Sequence, residues 1–300
     1  MNLEPESGNS IKNFINSVRN YLSLVKFSHT VFAMPFALIG FTLAVSEEDY
    51  HFSARLLLLV ILCMVFARNA AMGFNRLADK KFDSLNPRTE KREIPAGKIG
   101  TRAAALFVIV NSILFIITSG FINKLTLILS PVAVLIILGY SLTKRFTFLC
   151  HFILGLGLSL APIGAYISVT GIFNILPILY SLIVLTWVSG FDIIYALQDY
   201  EFDRKHSLYS IPSFSGRKKA LLVSVMVHFI SFFLIVAAGI AGKGNILYWI
   251  GAMIFASLLI WQHSIVKPDD LSRVTLAFQT TNGIASVIYA SFVILDLILF

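Results

Sequence analysis

The apolar positions of this chain fall into nine runs of about 20 residues, the length an α-helix needs to cross the hydrocarbon core of a bilayer. They occupy 27–45, 55–74, 103–121, 125–142, 148–168, 175–195, 220–241, 246–265 and 275–299. The shortest, 125–142, begins so close behind its neighbour that the pair reads as a hairpin. The first run lacks a short apolar stretch followed by a small-residue cleavage site, so it reads as a span and not as a signal peptide. Ahead of it, Ile11, Phe14, Ile15, Val18, Leu22 and Val25 recur at helical spacing, with Lys12, Arg19 and Lys26 among them. Two readings fit this segment: an interfacial amphipathic helix, or a first helix that protrudes from the membrane. The expected fold is an all-α polytopic membrane protein, one domain over 1–300. Within it 1–26 form the N-terminal interfacial helix, and 75–102 and 196–219 form the two long loops.

The polar positions set the orientation. With the N-terminus inside, the outer loops hold only Arg55, Lys124 and Lys243 of the 24 Lys and Arg residues, and Arg68 lies within a span. All the others fall on the cytoplasmic side, a strong positive-inside bias. The expected location is therefore the cell (inner) membrane, with both long loops, 75–102 and 196–219, facing the cytoplasm.

Composition agrees with this pattern: 57% hydrophobic, 13% charged, mean hydropathy +0.82. It excludes a disordered chain, an ordinary cytosolic enzyme and a basic nucleic-acid-binding domain. The net charge of +8 reports orientation, not a nucleic-acid partner. Cys63 and Cys150 lie in apolar runs and read as buried small hydrophobes.

The two loops open with similar strings. One runs Asn75-Arg-Leu-Ala-Asp79-Lys-Lys-Phe82-Asp83, the other Tyr195-Ala-Leu-Gln-Asp199-Tyr-Glu-Phe202-Asp203. Asp79 and Asp199, Phe82 and Phe202, and Asp83 and Asp203 are each separated by 120 positions. Each string follows an even-numbered span, so the copies share an orientation and form a weak repeat offset by four helices. Positions i, i+4 and i+8 drift only about 80° around a helix, so Asn75, Asp79 and Asp83 share a face, and Arg68 lies on that face two turns deeper. Asp192, Tyr195, Asp199 and Asp203 share another. Ionisable groups at the ends of apolar spans, here Arg68 and Asp192, are costly and mark function by default.

If the strings face each other, four carboxylates converge, and without a cation some would take up protons. A divalent ion resolves this. Mg2+ prefers carboxylate oxygens and phosphates, and Asn75 adds a neutral oxygen. No His or Cys pair has comparable spacing, which argues against zinc. Arg68, Arg88, Arg92, Lys144 and Arg145 border the same face and, with Mg2+, are placed to hold a diphosphate. Two other classes share some of these features. A secondary transporter also has repeats and intramembrane charge, but its ion site usually lies near the midplane. A phosphatidyl-alcohol transferase has one continuous acidic motif, not two distant halves.

These residues resemble the UbiA superfamily of intramembrane aromatic prenyltransferases. Its first signature, Asn-x3-Asp-x3-Asp, matches Asn75, Asp79 and Asp83, extended by Asn86-Pro-Arg88-Thr89-Glu-Lys-Arg92 and Pro95-Ala-Gly97. Its second matches Asp192, Tyr195, Ala196, Asp199 and Asp203, and Arg68-x-Ala70 and Lys144-Arg145 also resemble family positions. The resemblance covers the whole chain. It is nearest to the 4-hydroxybenzoate polyprenyltransferase branch, and a branch acting on a dihydroxynaphthoate stays open. One departure is Arg76, where many members carry an acidic residue, which alters the expected shell of a second metal.

The resemblance implies Mg2+-dependent transfer of a prenyl chain from a polyprenyl diphosphate to a ring carbon of an aromatic acid, in ubiquinone or menaquinone biosynthesis. It implies metal binding by Asn75, Asp79, Asp83, Asp199 and Asp203, and diphosphate binding by Arg68, Arg88, Arg92, Lys144 and Arg145. It also implies that the Tyr195 ring faces an allylic cation, and that Asp192 orients or deprotonates the acceptor. The tail needs an apolar path toward lipid, to which some of the 26 Phe residues are expected to contribute. Pro35, Pro131 and Pro162 are expected to bend helices, and His29 is a candidate polar contact.

Overall fold

The computed structural model describes residues 18–25 and 32–300. Ile11, Lys12, Phe14, Ile15, Lys26 and His29 lie outside the described residues. Residues 18–24 are helical. Their Leu24 is buried in a small cluster with Ile94, Ile99 and Ala104, whereas Val18 and Leu22 are exposed. One face of this segment thus packs on the 75–102 loop and the helix start that follows it.

Eight helices, among the described residues, are long and apolar enough to cross a membrane. They account for every expected span but the first. That one is represented by a shorter apolar helix, Met34–Val45 (α1). Pro35 sits in its first turn, where a missing N–H costs nothing, so it starts the helix and does not bend it. Pro131 and Pro162 do lie inside helices.

Next come Ala54–Ala78 (α2), Lys80–Leu85 (α3), Thr101–Gly120 (α4), Lys124–Thr143 (α5), Cys150–Thr170 (α6) and Ile175–Ala196 (α7). After a 3-10 turn, Leu197–Asp199, follow Tyr200–Lys205 (α8), Ile211–Ser215 (α9), Arg217–Ala241 (α10) and Ile246–Ile265 (α11). A π-helical turn, Leu276–Thr281, leads into Asn282–Leu299 (α12).

Polar residues set the boundaries. The Ser53 hydroxyl accepts from Leu56 N–H to start α2, and an Asn123–Thr126 capping box starts α5. Gly171, at φ 70°, takes the left-handed turn that ends α6.

The long helices pack in chain order, each against the next, and the most buried of them is α7. It lies against α6 on one side and α10 on the other, while α1 fills the space between α6 and α12. Trp187, Phe36, Phe255 and Tyr289 are fully buried in the main core. Gly155 lets α6 and α7 approach closely. A Cβ there would lie 2.5 Å from the Leu185 carbonyl oxygen and 2.6 Å from Ser189 Oγ.

The repeat is visible in the backbone. α2 and α7 each give way to a six-residue helix, and the aspartate at each junction has nearly the same conformation. Asp79 has φ −87°, ψ 5° and Asp199 has φ −99°, ψ 6°. The expected continuous helical face therefore breaks at Asp79 and at Asp199. Each break turns the last aspartate of its string inward, and Asp83 and Asp203 are both buried.

Candidate active site

Every described residue singled out above for catalysis, metal or substrate lines one cavity of 280 Å³ at the end of the bundle where the two strings meet. The four string carboxylates do not form a bare cluster, however. Among the described residues no group of three or more His, Cys, Asp or Glu side chains is arranged to hold a metal ion. Each carboxylate instead has a basic partner, because like charges in a half-buried space separate unless a cation lies between them.

The pairs are specific. Arg88 grips Asp199 with two guanidinium nitrogens, Nε at 3.1 Å from Oδ1 and a terminal nitrogen on Oδ2. Its other terminal nitrogen donates to the Tyr195 hydroxyl at 2.9 Å. The Asn86 amide also donates to Asp199 (3.0 Å), and its carbonyl accepts from Arg88 N–H (3.0 Å), so the first loop is latched onto the second string. Arg92 pairs with Asp83 at 2.7 Å, and Lys144 Nζ with Asp203 at 2.8 Å. Arg145 lies 3.5 Å from Asp79 and donates to the Ala78 carbonyl at 2.6 Å, next to the helix break.

Burial and neighbouring charge tune these groups. Burial, reinforced by Asp83, raises the Asp79 pKa above the ordinary carboxylate value despite Arg145. For Lys144 burial works against the ammonium, but Asp203 and Asp199 outweigh it and its pKa is raised. The Asn75 amide donates to Asp79 at 3.2 Å, leaving its carbonyl oxygen for other partners.

The donor set suits Mg2+. It consists of carboxylate and carboxamide oxygens without a thiolate, and the buried Asp83 Oδ2 has no hydrogen-bond partner. The described side chains thus fit a divalent ion with Asn75, Asp79 and Asp83 on one string and Asp199 and Asp203 on the other.

On the opposite wall, Asp192 Oδ2 lies 2.7 Å from His151 Nδ1. His151 Nε2 is 3.2 Å from the backbone N–H of Ile211, which can only donate. The proton of His151 therefore sits on Nδ1 and is donated to Asp192. Ser210 starts α9 as its N-cap, and its hydroxyl donates to Asp203 at 3.0 Å, so one short helix fixes both Asp203 and His151. Tyr195 stacks on Phe278 of the π-helical turn, 4.1 Å between ring centroids, and Arg88 lies 5.3 Å over the Tyr195 ring. The face expected to meet an allylic cation is thus covered here by a guanidinium.

A second cavity, 380 Å³ and almost wholly apolar, shares Arg68, Met72, Tyr140, Leu154 and Leu158 with the first and runs between α2, α4, α5 and α6. Ala, Leu, Ile and Val dominate its walls, and Phe115 and Phe173 are its phenylalanines.

Asn86, Tyr140, His151, Ser210 and Arg76 join the cavities or their support without having been selected from sequence. Asn86 belongs to the first motif's extension, and Arg76 stood out as a departure. His151 carried a weak signal, a lone His close behind Lys144-Arg145. Ser210 and Tyr140 carried none, being ordinary loop and span residues.

Comparison with known proteins places this geometry in a family. The model of the UbiA prenyltransferase family matches residues 33–285. A 4-hydroxybenzoate octaprenyltransferase from Aliivibrio fischeri (strain MJ11) is 28% identical over 244 residues, covering 80% of this chain and 82% of its own. The apo structure of a UbiA homolog from Aeropyrum pernix K1 superposes with a TM-score of 0.81 at 32% identity, over 89% of this chain and 98% of that one. A UbiA homolog from Archaeoglobus fulgidus, solved bound to DMAPP and Mg2+, shares the fold with a TM-score of 0.75 at 21% identity, over 94% of this chain and 100% of that one. The chain therefore belongs to the UbiA prenyltransferase family, enzymes that transfer prenyl groups.

Proposed function

We propose that the protein transfers a polyprenyl group from a polyprenyl diphosphate to a ring carbon of 4-hydroxybenzoate or a similar aromatic acid, for quinone synthesis, with its charged cavity facing the cytoplasm. The observation that carries this reading is the meeting of a charged and an apolar cavity at Arg68 and Tyr140. A substrate with an anionic head and a long hydrocarbon tail matches both halves. Relatives named 4-hydroxybenzoate octaprenyltransferase support the acceptor.

Mg2+, held by Asn75, Asp79, Asp83, Asp199 and Asp203, supplies charge neutralisation of the diphosphate. The basic side chains that pair these carboxylates can turn to the phosphates: Arg88 and Arg92 in bidentate fashion, Lys144 and Arg145 as point contacts or forks. They stabilise the pyrophosphate as negative charge builds on it, while Arg68 holds it at the junction of the cavities. Movement of Arg88 toward phosphate uncovers the Tyr195 ring, whose face then stabilises the allylic cation. The apolar walls keep water from that cation. The arene attacks it, and the ring proton leaves to Asp192, which His151 orients.

The experiment is mass spectrometry of products formed by detergent-purified protein with polyprenyl diphosphates and a panel of phenolic acids in Mg2+. A C-prenylated 4-hydroxybenzoate is expected. A prenylated dihydroxynaphthoate in its place moves the acceptor to the other branch, and no prenylated acid from any pair overturns the reading.

A further inference from the structure

Arg76 is an arginine in the last turn of a membrane-spanning helix, only 5% exposed. Its Nε has no hydrogen-bond partner, and among the described residues it takes part in no ion pair. Asp83 and Glu93 lie near enough to attract it electrostatically and Arg92 near enough to repel it. Neither carboxylate closes on it: Asp83 engages Arg92, and Glu93 accepts from Ser23. The helix C-terminus offers partial negative charge, but a dipole leaves the guanidinium's N–H donors unmet. A charge buried in this way is costly unless something pairs with it.

The direction of the side chain is given by its neighbours. Arg68, Met72 and Arg76 stand at i, i+4 and i+8 on α2, and all three line the charged cavity. Arg68 and Met72 also line the apolar one, so this stripe follows the donor's path. The acceptor side, with Asp192 and His151, is built from α6 and α7 instead.

We propose that Arg76 binds the diphosphate of the prenyl donor, closing with Arg68 a two-guanidinium clamp along α2. The buried Arg76 charge, on the stripe that lines the donor's path, calls for an anion, and a phosphate accepts the guanidinium fork in a plane. In the transfer the C1–O bond breaks and both its electrons stay on the bridging oxygen. Arg76 donates hydrogen bonds to the departing pyrophosphate, the allylic carbon is left positive, and the aryl carbon supplies the pair for the new C–C bond. At the position where related proteins were expected to carry an acid, this chain therefore contributes a fixed positive charge.

The inference rests on the proposed function, and the test keeps the two apart. Inorganic pyrophosphate is titrated calorimetrically into the full-length protein in detergent, with Mg2+ and again in EDTA, for wild type, Arg76→Met and Arg76→Lys. Loss of one charge-assisted contact predicts about tenfold or weaker binding for Arg76→Met under both conditions, with partial recovery in Arg76→Lys. Because Met removes an unpaired buried charge, the ligand-free variant should melt no lower than wild type. A lower melting temperature with unchanged pyrophosphate affinity makes Arg76 structural and sinks the proposal. So does a raised KM for the aromatic acid alone, which would move Arg76 to the acceptor. If wild type forms prenylated product but Arg76→Met binds pyrophosphate normally, only this inference fails. If wild type neither binds pyrophosphate nor forms product, the proposed function fails and takes this one with it.

Discussion

Lys144→Met isolates the value of one ion pair in the ligand-free site. The Asp203 side chain is 0% exposed and Lys144 is 32% exposed, with 2.8 Å between Nζ and Oδ1. At an effective dielectric constant near 20, the direct attraction is roughly 6 kcal/mol. Solvent at the lysine end screens part of it, and retained desolvation of the carboxylate sets the cost of truncation. Breaking a buried pair typically costs about 3–5 kcal/mol. With the Ser210 hydroxyl still donating to Asp203, we expect about 2–4 kcal/mol here. Thermal unfolding of the purified protein in EDTA is the assay. Asp203→Asn alone should leave an uncompensated ammonium, and the double variant should recover much of the loss, giving a coupling of about 1–3 kcal/mol. Mg2+ adds a discriminating arm. The carboxylate freed in Lys144→Met is one of the proposed metal ligands, so Mg2+ should stabilise that variant more than wild type. If Lys144→Met melts with wild type in EDTA and the cycle shows no coupling, the charge-compensated view of the site is wrong.

Transfer should require Mg2+ or Mn2+ and stop in EDTA, and Asp79→Ala and Asp199→Ala should each lose several orders of magnitude in rate while Asp269→Ala matches wild type; full activity after metal removal would refute the ligand assignment. The Asp79 pKa is raised in the folded state, so folding binds a proton there and the ligand-free protein loses stability as pH rises through the carboxylate range toward that raised value. Asp79→Asn should abolish that decline in melting temperature across acidic pH, and an unchanged profile would contradict it. His151→Ala should lower kcat and raise KM for the aromatic acid without changing KM for the diphosphate, and His151→Asn, whose amide can still donate to Asp192, should recover part of the loss. A uniform effect on both substrates would assign His151 to packing alone.

Much of the architecture is written in one dimension. A bilayer demands long apolar helices with internally satisfied backbones, so the run lengths were enough to place eight spans, and the basic residues were enough to orient them in expectation. The two strings were legible because metal and phosphate chemistry needs acids at fixed helical spacing, and acids are otherwise scarce in this chain. Of the first run, the described residues show the helix Met34–Val45. The breaks at Asp79 and Asp199 were not legible, since periodicity assumes an uninterrupted helix.

Tertiary structure alone decided the pairings. Arg88 meets Asp199 across 111 positions, and Asn86 meets it across 113. No local pattern selects one aspartate among four for a given arginine; the folded loop does, by which guanidinium it can reach. His151 meets Asp192 because Gly155 lets α6 and α7 close together, and because the start of α9 presents an N–H to its other nitrogen. Arg76 read from sequence as a substitution in a metal shell, and only the folded structure shows that it is buried with its Nε unpartnered, the observation behind the proposed diphosphate contact. Sequence determined which chemical groups are present and on which helix ends. Packing determined which of them touch, because contact energies depend on distances between segments that are far apart along the chain.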